Sequence, residues 1–393
     1  MDKLQWVRDE LNALRQAGKY VPIRALQSPQ GAWVVIGGRK LLNLCSNNYL
    51  GYANHPEVKR AAQEAIGKYG VGAGAVRSIA GTTELHEQLE REVAEFKNAE
   101  AALVYQGGLL ANLGTIPVLV GKGDLVFSEE LNHASIIDGV RLSSATRFVY
   151  RHSDMEDLRK QLEENRKAGR RSLVVTDGVF SMDGEIAPLP EIADLAGEFD
   201  SMVYVDDAHG EGVLGDHGRG IVDHFHLSGK VDVEMGTFSK ATGSIGGFVA
   251  GPSELIELLK QKARPFLFSS ALNPGDAAAV MRSIQLMRSD DSPLRRLWSN
   301  SDALKSGLKK NGFDTGRSQT PITPVMLMDE RRTLEFSRML YAEEGVFASP
   351  IVYPTVPQGK ARIRLIPSAV HSHDDIRFAV DAFVHTGQKL GLI

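Results

Sequence analysis

The chain has 393 residues, enough for one large α/β domain with an appendage or for two closely associated domains. Hydrophobic residues make up 42% and charged residues 24%, a globular balance that excludes wholesale disorder. A net charge of −4 excludes an electrostatic wrap for nucleic acid, and the single cysteine, Cys45, excludes an internal disulfide framework or a cysteine-rich zinc site.

Residues 1–18 read as an amphipathic helix: Leu4, Val7, Leu11 and Leu14 recur at helical spacing, and Gly18 is the expected stop. This opening is charged and lacks the apolar stretch of a secretory signal. No run of about 18 uncharged apolar residues follows it, so no membrane span is expected and the cytoplasm is the expected location. Residues 19–45 are turn-rich, with Pro22 and Pro29, and 33–36 and 41–44 flank Gly37-Gly38 as a short hairpin. From about residue 55 helices and strands alternate. Helices are expected at 55–70, 155–169 and 190–200. Strands are expected at 101–105, 124–128, 147–150, 172–176, 201–206, 231–238 and 246–251. Apolar runs alternating with amphipathic helices predict an α/β fold, its mainly parallel sheet covered on both faces. Beyond about 285 the regularity stops. Helices at 294–311, 332–344 and from His373, with apolar segments at 321–328, 346–350 and 361–366, predict a smaller α+β domain. The expected division is an N-terminal arm (1–45), a large domain (46–285) and a small C-terminal domain (286–393).

The most informative segment is 236–247, where Lys240 follows a predicted strand among small and hydroxylated residues. Small neighbours let a planar cofactor approach the backbone, and hydroxyls can hold a phosphate. Lysine is the side chain that forms a Schiff base with pyridoxal phosphate (PLP). Asp206 ends another apolar strand, where α/β proteins bind ligands, and can pair with a protonated pyridine nitrogen; His209 lies three residues on. Tyr105 to Asn112 runs strand, Gly107-Gly108, helix, so free N–H groups at a helix start offer an anion site. Singly, each signal has a plainer reading: a solvated lysine, a capping aspartate, an ordinary turn. No strand-placed GxGxxG or GxxxxGK[ST] motif points to a nucleotide instead. The pairs His224/His226 and His371/His373 lack further ligands at compatible spacing, so no metal site is expected. Cys45 reads as a small apolar residue and 156–171 as a solvated helix face.

Taken together, the blocks SNNYLG (46–51), NHASIIDG (132–139), DGVFSMDG (177–184), DDAHG (206–210), GTFSKATG (236–243), RPFLFS (264–269) and KARIR (360–364) resemble the α-oxoamine synthases. These are the CoA-dependent branch of the fold-type I PLP-dependent enzymes, and the resemblance runs over almost the whole chain. It implies that Lys240 bonds the cofactor and removes the Cα proton, that Asp206 pairs with the pyridine nitrogen, and that His209 and Ser181 bind the ring hydroxyl oxygen. It implies that His133 stacks on the ring, and that the N–H groups of Gly108 and Leu109 and the Thr237 hydroxyl hold the phosphate. Ser270 would reach the phosphate of a neighbouring subunit. Asn47, Arg364 and Thr355 would contact substrate, Arg364 through the amino acid's carboxylate. Many members have an aromatic residue at the position of Leu109; a backbone contact survives that change. The family is homodimeric, with active sites at the subunit interface, and takes a small amino acid and an acyl-CoA. Segments such as NHASIIDGVRL, RPFLFS and YPTVPQGKARIR rank glycine with acetyl-CoA first, as in the glycine C-acetyltransferase branch. Alanine with a pimeloyl thioester (the 8-amino-7-oxononanoate synthase branch) ranks second and serine with a long-chain acyl donor third. The fold alone would also serve a transaminase or decarboxylase.

Overall fold

A computed structural model of the chain describes residues 2–16, 20, 23–166 and 169–393; Gly18 and Pro22 lie outside the described residues. The first helix covers Gln5–Gln16 and buries none of its side chains. The strands are β1 (Trp33–Ile36), β2 (Arg39–Asn43), β3 (Ala101–Tyr105), β4 (Leu125–Glu129), β5 (Thr146–Tyr150), β6 (Ser172–Asp177), β7 (Met202–Asp206), β8 (Val233–Thr237), β9 (Gly247–Gly251), β10 (Thr323–Met328), β11 (Val346–Phe347), β12 (Ser349–Ile351) and β13 (Ala361–Leu365).

Seven strands form the central sheet in the order β3-β9-β8-β7-β6-β4-β5. Its pairings are parallel except those of β9, which runs antiparallel to β3 and β8. The mainly parallel sheet read from the sequence is therefore present. Alternation along each strand sends side chains to two separate cores. Val203 and Val205 join one core with Val104, Val174 and Phe248. Tyr204 joins the other with Leu103, Val175, Met235 and Val249. Helices Glu84–Phe96, Leu189–Glu198 and Pro274–Ser289 cover the first; Gly108–Leu119, Ala134–Ser143 and Ser253–Lys262 cover the second. Both faces being dry explains why these strands read as apolar runs rather than alternating ones.

The smaller C-terminal domain carries an antiparallel sheet in the order β10-β13-β12. Its core joins Leu304, Val325, Phe336, Ile363 and Phe383 to Leu42 and Leu44 from the chain's start. The hairpin of β1 and β2 forms as read, and β11 adds to β2 in parallel. The apolar segment at 346–350 is thus not one strand: it changes sheets at Ala348. Among the described residues no helix is long and apolar enough to cross a membrane.

Candidate active site

At the C-terminal ends of β6, β7 and β8, on the Tyr204 side of the sheet, lies a cavity of about 210 Å³. Such strand ends, with a helix start opposite, are where α/β sheets bind ligands. Gly108, Leu109, His133, Ser181, Asp206, His209, Thr237 and Lys240 line it, so eight of the sequence-derived residues meet in one place. Asp177 and Asp206 are register partners on neighbouring strands, which sets two carboxyl groups side by side. Burial and the charge of Asp206 hold the Asp177 carboxyl well above its ordinary range, while its Oδ2 accepts the His133 N–H at 2.8 Å.

Lys240 follows β8 through a turn in which the Thr242 hydroxyl donates to the Phe238 carbonyl at 2.7 Å. Burial disfavours its ammonium, and Asp206 and Asp177 only partly oppose that, so its pKa falls from 10.5 to about 8. His209 Nδ1 lies 2.8 Å from the Tyr49 hydroxyl. Burial, with the charges of Lys240 and Arg364 nearby, holds its imidazole well below the ordinary value and therefore neutral. Arg364, on β13, donates from Nε to the Ser181 carbonyl at 2.5 Å and from both terminal nitrogens to Asn47 Oδ1 at 3.3 Å. No carboxylate among the described residues pairs with it, so its fork remains available to an acid.

Opposite Asp206, helix Gly108–Leu119 starts at Gly107 with no side-chain cap. A Cβ on Gly108 would stand 3.2 Å from Thr237 Cβ, so the helix start and the Thr237 hydroxyl face each other at van der Waals distance. These residues fit PLP: a carboxylate for a pyridinium, an uncapped helix start for a phosphate, and an amine whose pKa, lowered to about 8, gives it a free-base fraction near neutral pH. Chemically, the arrangement can bind a flat anionic ring and abstract a proton beside it.

Of the four sequence-derived residues outside this lining, Arg364 reaches it at the Ser181 carbonyl and Asn47 meets Arg364, while two stand elsewhere. Ser270 pairs with Val76 outside the cavity, and its carbonyl accepts from the Gln106 side chain. Thr355 lines a second cavity of about 350 Å³, which touches the first through Ser181. Sequence reasoning passed over Asn112, which bonds to Asp206, Ser135, which bonds to His133, and Tyr204, whose hydroxyl donates to Asn112. The signal for Tyr204 was available: it lies two residues before Asp206, on the same face of β7.

The family model for class I and II aminotransferases matches residues 39–383. Over 384 residues, 98% of each chain, the sequence is 57% identical to an 8-amino-7-oxononanoate synthase of Thermosipho melanesiensis. It is 54% identical over 394 residues, all of both chains, to a Petrotoga mobilis protein of the same name. A solved Sphingomonas wittichii serine palmitoyltransferase superposes with a TM-score of 0.95 at 33% identity, covering 100% of this chain and 99% of that one. These identities overturn the first-ranked pair, glycine with acetyl-CoA, since the full-length relatives carry the name of the synthase ranked second. Of the segments behind that ranking, 132–142 supplies His133 and 177–184 supplies Asp177 and Ser181 to the smaller cavity, while 353–364 supplies Thr355, Val356 and Pro357 to the second. Residues that serve the shared cofactor cannot discriminate between acyl donors. The chain belongs to the class I and II aminotransferase family and, within it, to the α-oxoamine synthases, PLP-dependent acyltransferases that join an amino acid to an acyl thioester.

Proposed function

We propose that the chain condenses alanine with a pimeloyl thioester, releasing the thiol and carbon dioxide to leave 8-amino-7-oxononanoate. The observation that carries this reading is the 57% full-length identity to a relative of that name. PLP, when bound, supplies an electron sink that acidifies the Cα–H bond of the amino acid. Asp206 would hold its pyridine nitrogen, His209 and Ser181 its ring hydroxyl oxygen, and Thr237 with the N–H groups of Gly108 and Leu109 its phosphate. His133 would cover the ring, and Lys240 would carry the cofactor through its amine.

The rest follows from the chain's own groups. Arg364 holds the alanine carboxylate through a charge-assisted fork, with Asn47 fixing the guanidinium plane. Lys240 Nζ, with a pKa near 8, is a base close to neutral pH and takes the Cα proton. The second cavity, with Phe180, Met182, Val356 and Thr355 in its wall, receives the acyl chain.

The working unit in this reading is a homodimer with shared sites. Supporting it, the first helix has no buried residue, and Trp6 and Ile79 are 69% and 82% exposed. A second copy covers these side chains, and Ser270 serves the partner's phosphate site. The single cysteine suits a reducing compartment and supports the cytoplasm as the location in this reading.

The test is thiol release by the PLP-loaded protein, crossing alanine, glycine and serine with pimeloyl-, acetyl- and palmitoyl-CoA. Alanine with pimeloyl-CoA should give the highest kcat/KM and a decarboxylated product by mass. A higher value for any other pair would sink the assignment.

A further inference from the structure

The side chain of Asn112, fully buried in the first helix turns after Gly108, makes bonds in three directions. Its Nδ2 donates to Asp206 Oδ2 at 2.8 Å and to Ser135 Oγ at 2.8 Å, and its Oδ1 accepts from the Tyr204 hydroxyl at 2.6 Å. A carboxylate only accepts, so the atom facing Asp206 is the amide nitrogen, and the orientation of the amide is fixed. Both amide protons are then used.

The chain of donors continues. Ser135 Oγ, having accepted from Asn112, stands 2.7 Å from His133 Nδ1. The Ser135 backbone N–H also points at that nitrogen, at 3.3 Å, as the cap of helix Ala134–Ser143. A nitrogen that accepts from a backbone N–H cannot itself carry a proton, so Nδ1 is bare. The Ser135 hydroxyl proton goes to it, and the neutral ring keeps its proton on Nε2. Partial burial and the charge of Lys240, opposed by Asp206, keep the ring neutral.

We propose that Asn112 and Ser135 are positioning residues that tie Asp206 to His133, orienting the carboxylate and fixing His133 as the Nε2–H tautomer. The inference rests on the reading that Asp206 and His133 face the cofactor ring. It goes beyond that reading in assigning a buried relay, with Tyr204 as its anchor. The relay makes the two walls of the cavity interdependent: a change at Ser135 on one is felt at Asp206 on the other. None of the three relay residues lines up in sequence; they come from residues 112, 135 and 204.

The test is nitrogen NMR of protein with 15N-labelled histidine, the His133 signals being identified by their loss in His133→Asn. In the unsubstituted protein, with and without PLP, the proton should sit on Nε2 and Nδ1 should be bare. Ser135→Ala keeps the backbone N–H but removes the hydroxyl, one of the two donors to Nδ1, so the bare Nδ1 resonance should move downfield. The substitution should also lower kcat by on the order of tenfold to a hundredfold, the value of one hydrogen bond to a catalytic group, while PLP still binds. Asn112→Ser should in addition shift the pH dependence of the bound cofactor's absorbance, because Asp206 loses a donor. A proton on Nδ1 of the unsubstituted protein, which needs no variant to fold, would overturn the relay. So would an Nδ1 resonance unmoved in Ser135→Ala. Thiol release plays no part in the tautomer readout, so failure of the substrate assignment and failure of the relay are separately visible.

Discussion

Gly247 gives the sharpest mechanical test of the phosphate cradle. It opens β9, pairs with Tyr105 on one side and Thr237 on the other, and so stands between the two strands that lead into the cradle. A Cβ there would lie 2.6 Å from the Gly107 carbonyl carbon and from the Gly108 nitrogen, about 0.8 Å short of the 3.4 Å at which ordinary contact begins. Both obstructing atoms are backbone, so no side chain can swing away. The sheet ladder holds Gly247, and the part able to yield is the turn at the start of helix Gly108–Leu119. Overpacking of this kind costs about 1–3 kcal/mol. If the strain is relieved by displacing that turn, Gly247→Ala should weaken PLP binding by roughly 5- to 150-fold. The assay is titration of the apo protein with PLP, followed by the absorbance of the bound cofactor. Gly121→Ala is the control: its Cβ meets nothing closer than the Ser143 carbonyl at 3.9 Å, and PLP affinity should stay within about twofold. Unchanged PLP affinity in Gly247→Ala would refute the reasoning, since the turn would then be free to move without consequence for the phosphate.

Two further outcomes follow from the charges in the cavity. Capture of PLP by the apo protein needs the free amine of Lys240, whose pKa burial lowers to about 8. The capture rate, read by stopped-flow absorbance, should therefore rise tenfold per pH unit below that value and level off above it; a rate still climbing beyond pH 10 would mean an ordinary lysine. Arg364→Gln removes a charge-assisted fork worth about 1.5–3 kcal/mol, so KM for alanine should rise roughly 10- to 100-fold in steady-state kinetics with a smaller change in kcat. An unaltered KM would take Arg364 out of carboxylate recognition.

Much of the fold was legible because its strands are short apolar runs bounded by glycine, proline and charged residues. The segment 101–105 is β3 to the residue. What was not legible is pairing at a distance. Nothing in VFASP announces that Val346–Phe347 joins β2 in parallel while Ser349–Ile351 joins β13 antiparallel. The chemistry divides in the same way. Lys240, Asp206 and the Gly107-Gly108 turn sit at strand ends and helix starts, positions that sequence patterns mark. Asn112, Ser135 and Tyr204 are ordinary residues in ordinary elements, and only the closing of the sheet and its two covering helices brings Ser135 and Tyr204 within 3 Å of Asn112. The acyl donor was misread for a related reason, since blocks such as 132–139 and 177–184 supply residues to the cavity of Lys240.

The adjacent aspartates show how one dipeptide serves two ends. Asp206 completes β7 on the cavity face, with Tyr204 two residues behind it. Asp207 turns the other way and meets Lys97 at 3.3 Å, in a dry cluster that also holds Glu234 and Glu211. Burial drives the Asp207 carboxyl well above its ordinary range and pushes Glu211 up to about 8, with Lys97 opposing both. One ammonium among three carboxyl groups is a poor source of net stability, because desolvation offsets most of the attraction. Its geometry is specific, however. Asp207 Oδ2 also accepts the Ile221 N–H at 3.0 Å, and the Asp207 carbonyl accepts the Gly210 N–H at 3.0 Å. Asp207 therefore pins both ends of the loop between β7 and residue 221, and His209 stands inside that loop. Breaking a buried pair of this kind costs about 3–5 kcal/mol, and here the cost would fall on the segment that carries His209 into the cavity. The second aspartate is thus a condition for the first to work: Asp206 can meet a ring in register with His209 only while Asp207 holds the turn between them closed.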